Sequence, residues 1–417
     1  MTEASASSPD VAGASPSGLL PLAGIRVIDA ASYIAGPCAA TVLADYGADV
    51  VKVEPPGSGD PNRSMYQVIA YPAHEVNYSW HLDARGKRSL AIDLKDEAAR
   101  AAFDRLIATA DVMIVNYPAK ARARLRLDYE SVAAVNPRLI YASMTGYGEA
   151  GPDADQAGFD VNAYFARSGI LDVARYDDAL PGVVVPAQGD RAAAIALAMG
   201  IMLALWNREK TGRGTMVASS LLANGVWANG VFAQGALIGA RMPKRPPPDR
   251  PRSAVSTVYR TRDERWLQLT ILDEERHFPL LCKVLGREEV ASDSRFATRE
   301  TRRVNSATLA AIFAETFAER TLAEWQADLK SCGLPFAAIS RALDLPDDAQ
   351  AHAAGIFADT AIPEMPKTIA PPFTLADVAL PPARPGPGLG EHSREVLVEA
   401  GLDESEIAAL FASGAIA

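Results

Sequence analysis

Residues 24–54 constrain the fold more than any other stretch of this chain. Gly24–Ala30 (GIRVIDA) has the composition of a short buried strand, and Ser32–Pro37 reads as a loop. Ala39–Tyr46 follows as an alanine-rich helical stretch, closed by Gly47 as a C-cap. Ala48–Glu54 (ADVVKVE) is a second strand, stopped by Pro55-Pro56. Two strands joined by a helix-length crossover pair in parallel with a right-handed connection.

The alternation continues. Strands are expected over Ser89–Leu94, Ala110–Asn116, Leu139–Met144 and Thr215–Ala218, and helices over Asp96–Thr109, Tyr129–Val135 and Ala192–Trp206. This order predicts an open α/β sheet. Ligands of such sheets sit beyond the carboxyl ends of the strands. The loops after Ala30, Val53, Val115 and Met144 are therefore where a site is expected. Residues 240–253 form a proline-rich basic linker. Beyond it, Ser256–Tyr259 and Arg265–Leu269 alternate as a hairpin around Asp263-Glu264, before helical segments over about 275–345.

The net charge of −10 argues against a general nucleic-acid binder, which would present a basic face. Three cysteines and five scattered histidines match no metal-ligand spacing, so no metal is expected. Residues 1–18 are rich in Ala, Ser, Pro and Gly, are expected to be disordered, and lack the pattern of a secretory signal. No apolar run approaches the roughly 20 residues of a membrane span. A reduced, cytoplasmic protein is the expectation. No G-x-S-x-G, P-loop or G-x-G-x-x-G motif is present. Residue spacing alone thus yields an α/β scaffold without a named reaction.

A set of ordered motifs goes further. They include Pro21–Asp29, Ala35-Gly36-Pro37, Leu43–Glu54, Gly59-Asp60 and Gly86-Lys87-Arg88-Ser89. Asn136–Ile140, Thr145–Gly148, Gly189-Asp190, Arg208–Gly214 and Gly390-Glu391-His392 follow. Together they resemble class III CoA-transferases, the formyl-CoA transferase and carnitine CoA-transferase type, a family that also holds α-methylacyl-CoA racemases. The resemblance implies a Rossmann-like large domain with a parallel sheet over 19–229, completed by 385–417. It also implies a smaller α+β domain over 230–345, a return linker over 346–384, and an interlocked, ring-shaped homodimer.

The function so implied is transfer of CoA from an acyl-CoA donor to a carboxylic acid acceptor, with coenzyme A as substrate. The catalytic aspartate aligns with Asp190, which would carry an aspartyl anhydride and then an aspartyl-CoA thioester. Read from the residues alone, Asp190 is rather an N-cap of the helix that follows, with Gly189 permitting the turn. The family's CoA contacts align with Tyr33, Ile34 and Ala35, with Asn116 and Tyr117, with Arg124 as a phosphate ligand, and with Lys95. Pro55 stands where formyl-CoA transferases place an arginine near the adenine, and Arg63 is the nearest replacement. The glycine run that covers the site in those enzymes has no counterpart here.

Ala157-Gly158-Phe159-Asp160, which the resemblance also implies as cofactor-binding residues, separates two branches. Racemases of the family carry histidine at the Phe159 position, and phenylalanine cannot move a proton. Asp160 is either a site carboxylate or a loop cap. His392 is expected to be structural, and Cys38 a small buried residue. An acyl-CoA isomerase and a non-catalytic CoA-binding homologue stand as alternatives.

Overall fold

The computed structural model describes residues 20–182 and 184–417. The tail 1–18 lies outside the described residues. Six strands make one parallel sheet: β1 (Arg26–Asp29), β2 (Asp49–Glu54), β3 (Arg88–Ala91), β4 (Val112–Val115), β5 (Ile140–Thr145) and β6 (Met216–Ser220), in the order β3-β2-β1-β4-β5-β6. The strands are rich in Val, Ile and Ala, and β4 and β5 are buried throughout. That composition suits a sheet covered on both faces.

The helices intervene in chain order: α1 (Ala35–Asp45), α2 (Tyr78–Ala84), α3 (Glu97–Thr109), α4 (Ala119–Arg124), α5 (Tyr129–Val135), α6 (Ile170–Ala174), α7 (Gln188–Thr211) and α8 (Leu221–Ala228). Residues of α1 and α7 build the core on one face around Val27, Ile114 and Ala142. On the other face α3 packs with the C-terminal helices Ser393–Glu399 and Glu404–Ser413 around Ile28, Met113 and Tyr141. His392 helps fix that return: its N–H donates to the Ser89 carbonyl at 3.0 Å, and its Nδ1 accepts the Ser89 N–H at 3.3 Å.

Three expectations are corrected. Helix α1 starts at Ala35, so Pro37 lies in its first turn, where a missing N–H costs no intrahelical bond. Helix α7 starts at Gln188, with Ala187 as its N-cap, so Asp190 sits inside the first turn and caps nothing. At 24 residues α7 is also long and apolar enough, by length and composition, to cross a membrane. Here it lays Ala193, Ala194, Leu197, Ile201 and Leu205 into the core.

The chain divides into two compact units. One runs up to Ile170 and takes in Val184–Gln234 and His352–Ala417. The other comprises residues 171–182 and Gly235–Ala351. The second holds a three-stranded antiparallel sheet, β7 (Val258–Arg260), β8 (Trp266–Leu269) and β9 (Phe336–Ala338), under helices sharing Phe278, Phe313, Phe317 and Trp325. The hairpin was legible; β9, a three-residue strand, gave no alternating pattern. The stretch 346–384 is more than a linker, because it contains a short helix, Ala349–Ala353, and the antiparallel pair β10 (Phe357–Asp359) and β11 (Lys367–Ile369).

Candidate active site

The sheet order reverses between β1 and β4, and a cavity of about 330 Å³ opens beyond the carboxyl ends of β1, β4 and β5. Ser32, Tyr33, Ile34 and Ala35 form one wall, Asn116, Tyr117 and Pro118 another, and Met144, Thr145 and Gly146 a third. Gln156, Ala157, Gly158, Phe159 and Asp190 complete it. A parallel sheet diverges at its switch point, which is why the crevice forms there. The loops expected to carry the site after Ala30, Val115 and Met144 do meet.

Local contacts explain how the walls are held. Asn116 Oδ1 accepts the Ser32 N–H at 2.8 Å and its Nδ2 donates to the Ser32 carbonyl at 2.6 Å, joining the two loops. Its side chain is thereby committed to the loop. Tyr33 has φ of +64°, a left-handed conformation uncommon without glycine. The Asp60 carboxylate accepts its N–H at 3.0 Å. So held, Tyr33 meets Phe159 edge to face, ring centroids 5.6 Å apart, and both rings remain exposed. Gly146 and Gly158 touch backbone to backbone: a Cβ on Gly146 would come within 2.8 Å of the Gly158 Cα.

Asp160 is 2% exposed and lies beneath the first turn of α7. Its carboxylate accepts the Val161 N–H at 2.8 Å and the Gly189 N–H at 3.0 Å, and also faces the N–H groups of Ala187 and Asp190. A helix N-terminus with unsatisfied N–H groups favours an anion there. Burial nevertheless pushes the Asp160 carboxyl up. Asp190 is pushed up to about 7, chiefly by burial and then by the neighbouring Asp160 charge, while Arg191 acts in the opposite direction. Gly189 is required sterically, since a Cβ would stand 2.6 Å from the ring of Tyr164.

A group of buried ions supports these walls. Lys87 Nζ lies 2.8 Å from Asp29, and Lys52 Nζ lies 2.8 Å from Asp60. Asp83, 1% exposed, pairs with Arg191 at 2.6 Å and takes a hydrogen bond from Cys38 Sγ at 3.2 Å. Burial and the Asp83 charge push the Cys38 thiol well up. Of these ions Asp60 and Lys87 lay in the recognised Gly-Asp and Gly-Lys-Arg-Ser motifs. Asp29 and Lys52 lie within the Pro21–Asp29 and Leu43–Glu54 motifs, whereas nothing in the local sequence marks Asp83 or Arg191.

Not every expected residue enters the cavity. Asp160 sits behind its wall. Lys95 lines a second, smaller cavity of about 120 Å³ with Pro55, and Tyr117 borders both. Arg124 is exposed at the end of α4, in contrast to Arg122, which is buried against Glu149. Arg63 holds Glu54 by two bonds of 2.7 Å, donates to the Pro387 carbonyl, and stacks over Trp80 at 3.9 Å, so three of its five donors are engaged within the fold.

The model of CoA-transferase family III matches residues 22–393. The (R)-2-hydroxy-4-methylpentanoate CoA-transferase of Clostridioides difficile is 32% identical over 400 residues, 93% of this chain and 97% of that protein. The succinate–glutarate CoA-transferase of Agrobacterium fabrum is 33% identical over 388 residues, 91% and 95% of the two chains. A CAIB/BAIF family protein from Brucella suis superposes with a TM-score of 0.82 at 31% identity, over 92% of this chain and all of that one. This chain belongs to CoA-transferase family III.

Proposed function

We propose that the protein transfers CoA from an acyl-CoA donor to a carboxylic acid, with Asp190 as covalent carrier. The observation that carries this reading is a carboxylate on the cavity wall, raised to about 7, at the carboxyl edge of the sheet. An Asp190 oxygen attacks the thioester carbonyl, the carbon–sulfur bond breaks, and CoA leaves as thiolate. The thiolate then attacks Cγ of the mixed anhydride, and the donor acid departs with its carboxylate. The acceptor carboxylate next attacks the aspartyl-CoA thioester and expels thiolate once more. Attack of that thiolate on the new acyl carbonyl yields the product and frees Asp190. One difficult exchange thus becomes several easier ones.

The raised Asp190 serves this chemistry. A carboxylate of ordinary acidity is a poor match for a thiolate leaving group, whose conjugate acid has a pKa of about 8.5. Bringing the carboxyl to about 7 narrows the gap and leaves a useful ionised fraction near neutrality. The helix donors at Ala187, Gly189 and Asp190 face Asp160, so they are not the oxyanion site. The closely packed Gly146 and Gly158 backbones, which line the same cavity, are the better candidates.

CoA would thread the main cavity past Tyr33, Ile34, Ala35 and Tyr117, with its nucleotide end toward Lys95 and Arg124. Phe159 offers no proton-transferring group at the racemase position, which supports transfer over α-proton exchange. A homodimer is part of the proposal. Met199, Leu203 and Trp206 on α7, Trp227 on α8 and the nearby Val231 are exposed in the single chain, an apolar surface that a second copy would cover.

The test is incubation with a panel of acyl-CoA donors, borohydride or hydroxylamine trapping, and mass spectrometry. A modification at Asp190 that is absent from Asp190→Asn supports the mechanism. Turnover with Asp190 unmodified removes it.

A further inference from the structure

We propose that Arg191 receives the carboxylate of the acceptor acid beside Asp190, and that Asp83 presents it for that purpose. The inference rests on the transferase reading above and adds a residue that selects the second substrate.

Arg191 follows Asp190 in the first turn of α7. Its Nη1 donates to Asp83 Oδ1 at 2.6 Å and its Nη2 to Asp83 Oδ2 at 3.2 Å, while Nη1 also donates to Cys38 Sγ at 3.4 Å. Asp83 is itself fixed. Asn62 donates to Oδ2 at 3.2 Å, Cys38 donates to Oδ1, and Lys87 holds the Asp83 carbonyl at 2.9 Å. Such anchoring exceeds what a surface ion pair requires, since exposed pairs contribute little to stability.

A guanidinium has five N–H donors in a rigid fork. Three are engaged by Asp83 and Cys38. Among the described residues, Nε–H and the second Nη2–H have no partner, and the side chain is 40% exposed although Asp83 is 1% exposed. Arg191 is the next residue after Asp190 in the helix, half-exposed, and its charge acts on the Asp190 carboxyl. No hydrogen bond or ion pair joins Arg191 to Asp190 among the described residues. Asp83 thus holds the guanidinium by its Nη1/Nη2 edge and leaves the Nε/Nη2 edge open. A carboxylate is the ligand that two adjacent guanidinium N–H groups match. The acceptor must approach an Asp190 site already crowded with the negative charge of Asp160, and an oriented cation offsets that repulsion.

The experiment measures KM and kcat for the acceptor acid and, separately, for the donor acyl-CoA, in wild type, Arg191→Gln, Arg191→Lys and Asp83→Asn. Succinyl-CoA and acetyl-CoA serve as donors, and 4-methylpentanoate, benzoate and glutarate as acceptors. Loss of a charge-assisted hydrogen bond predicts an acceptor KM raised about 10- to 100-fold in Arg191→Gln, with a much smaller change in donor KM. Arg191→Lys is expected to recover part of the loss. An acceptor KM within about threefold of wild type in Arg191→Gln overturns the proposal and leaves Arg191 as a tether between α2 and α7. If no donor labels Asp190 in the wild type, the transferase reading fails separately. Calorimetric titration with the same three acids then decides: tighter binding to wild type than to Arg191→Gln supports the carboxylate site, and equal binding overturns it.

Discussion

Asp160 accepts the backbone N–H of Gly189 at 3.0 Å, one residue ahead of Asp190. A buried carboxylate therefore fixes the peptide that presents Asp190, the proposed nucleophile, and by its charge makes Asp190 harder to ionise. Asp160 thus contributes to both the position and the basicity of Asp190, with burial the larger cause of the latter.

The first prediction concerns Asp190→Asn. Exchange should fall to background. The folded-state pKa of Asp190 lies above its unfolded value of 3.8, so the native state prefers the protonated form. The stability linked to that preference is present at low pH and lost as pH rises through about 7. The neutral amide escapes this loss. Asp190→Asn should equal wild type near pH 4 and exceed it by roughly 1–3 kcal/mol at pH 8, discounted for partial exposure. Thermal melts at the two pH values read this directly.

Asp160→Asn removes the neighbouring charge and keeps one acceptor oxygen for Gly189. The acidic limb of kcat/KM for the donor, which reports ionisation of free Asp190, should move down by roughly 0.5–1 pH unit. An unmoved limb would show that Asp160 acts on the nucleophile by position alone.

Gly189→Ala tests the packing behind the nucleophile. The added methyl would stand 2.6 Å from the Tyr164 ring, which is 9% exposed and packed in the core. Overpacking of this kind costs about 1–3 kcal/mol. A folded variant with kcat lowered about 10- to 100-fold is expected, because a small displacement of a reacting group is enough. Circular dichroism and steady-state kinetics on the same preparation separate folding from catalysis.

Cys38 should resist alkylation. It is buried, its Sγ donates to Asp83, and its thiol is pushed well up, so little thiolate forms at neutral pH. Iodoacetamide followed by peptide mapping should label the half-buried Cys332 first and Cys38 only after denaturation.

Much of this molecule was legible from the chain alone. The hydrophobic periodicity of residues 24–54 and its repetition gave the parallel sheet, because strands buried on both faces must be nearly all apolar and their crossovers must be helix-length. The ordered motifs pointed to the family, and Gly189-Asp190 to the residue proposed here as nucleophile. Tyr33, Asn116 and Phe159 line one cavity because strand ends at a switch point must converge. Other features needed the tertiary structure. Arg63 and Arg122 are cations like Arg124 in sequence, and only their neighbours Glu54 and Glu149 show that they are already paired. Asp83 and Arg191 are 108 residues apart, and their pairing is invisible until α2 and α7 meet. Local sequence sets which backbone forms and which face is apolar. Ionisation, charge pairing and the shape of a crevice depend on distances between remote residues, and those exist only once the chain has folded.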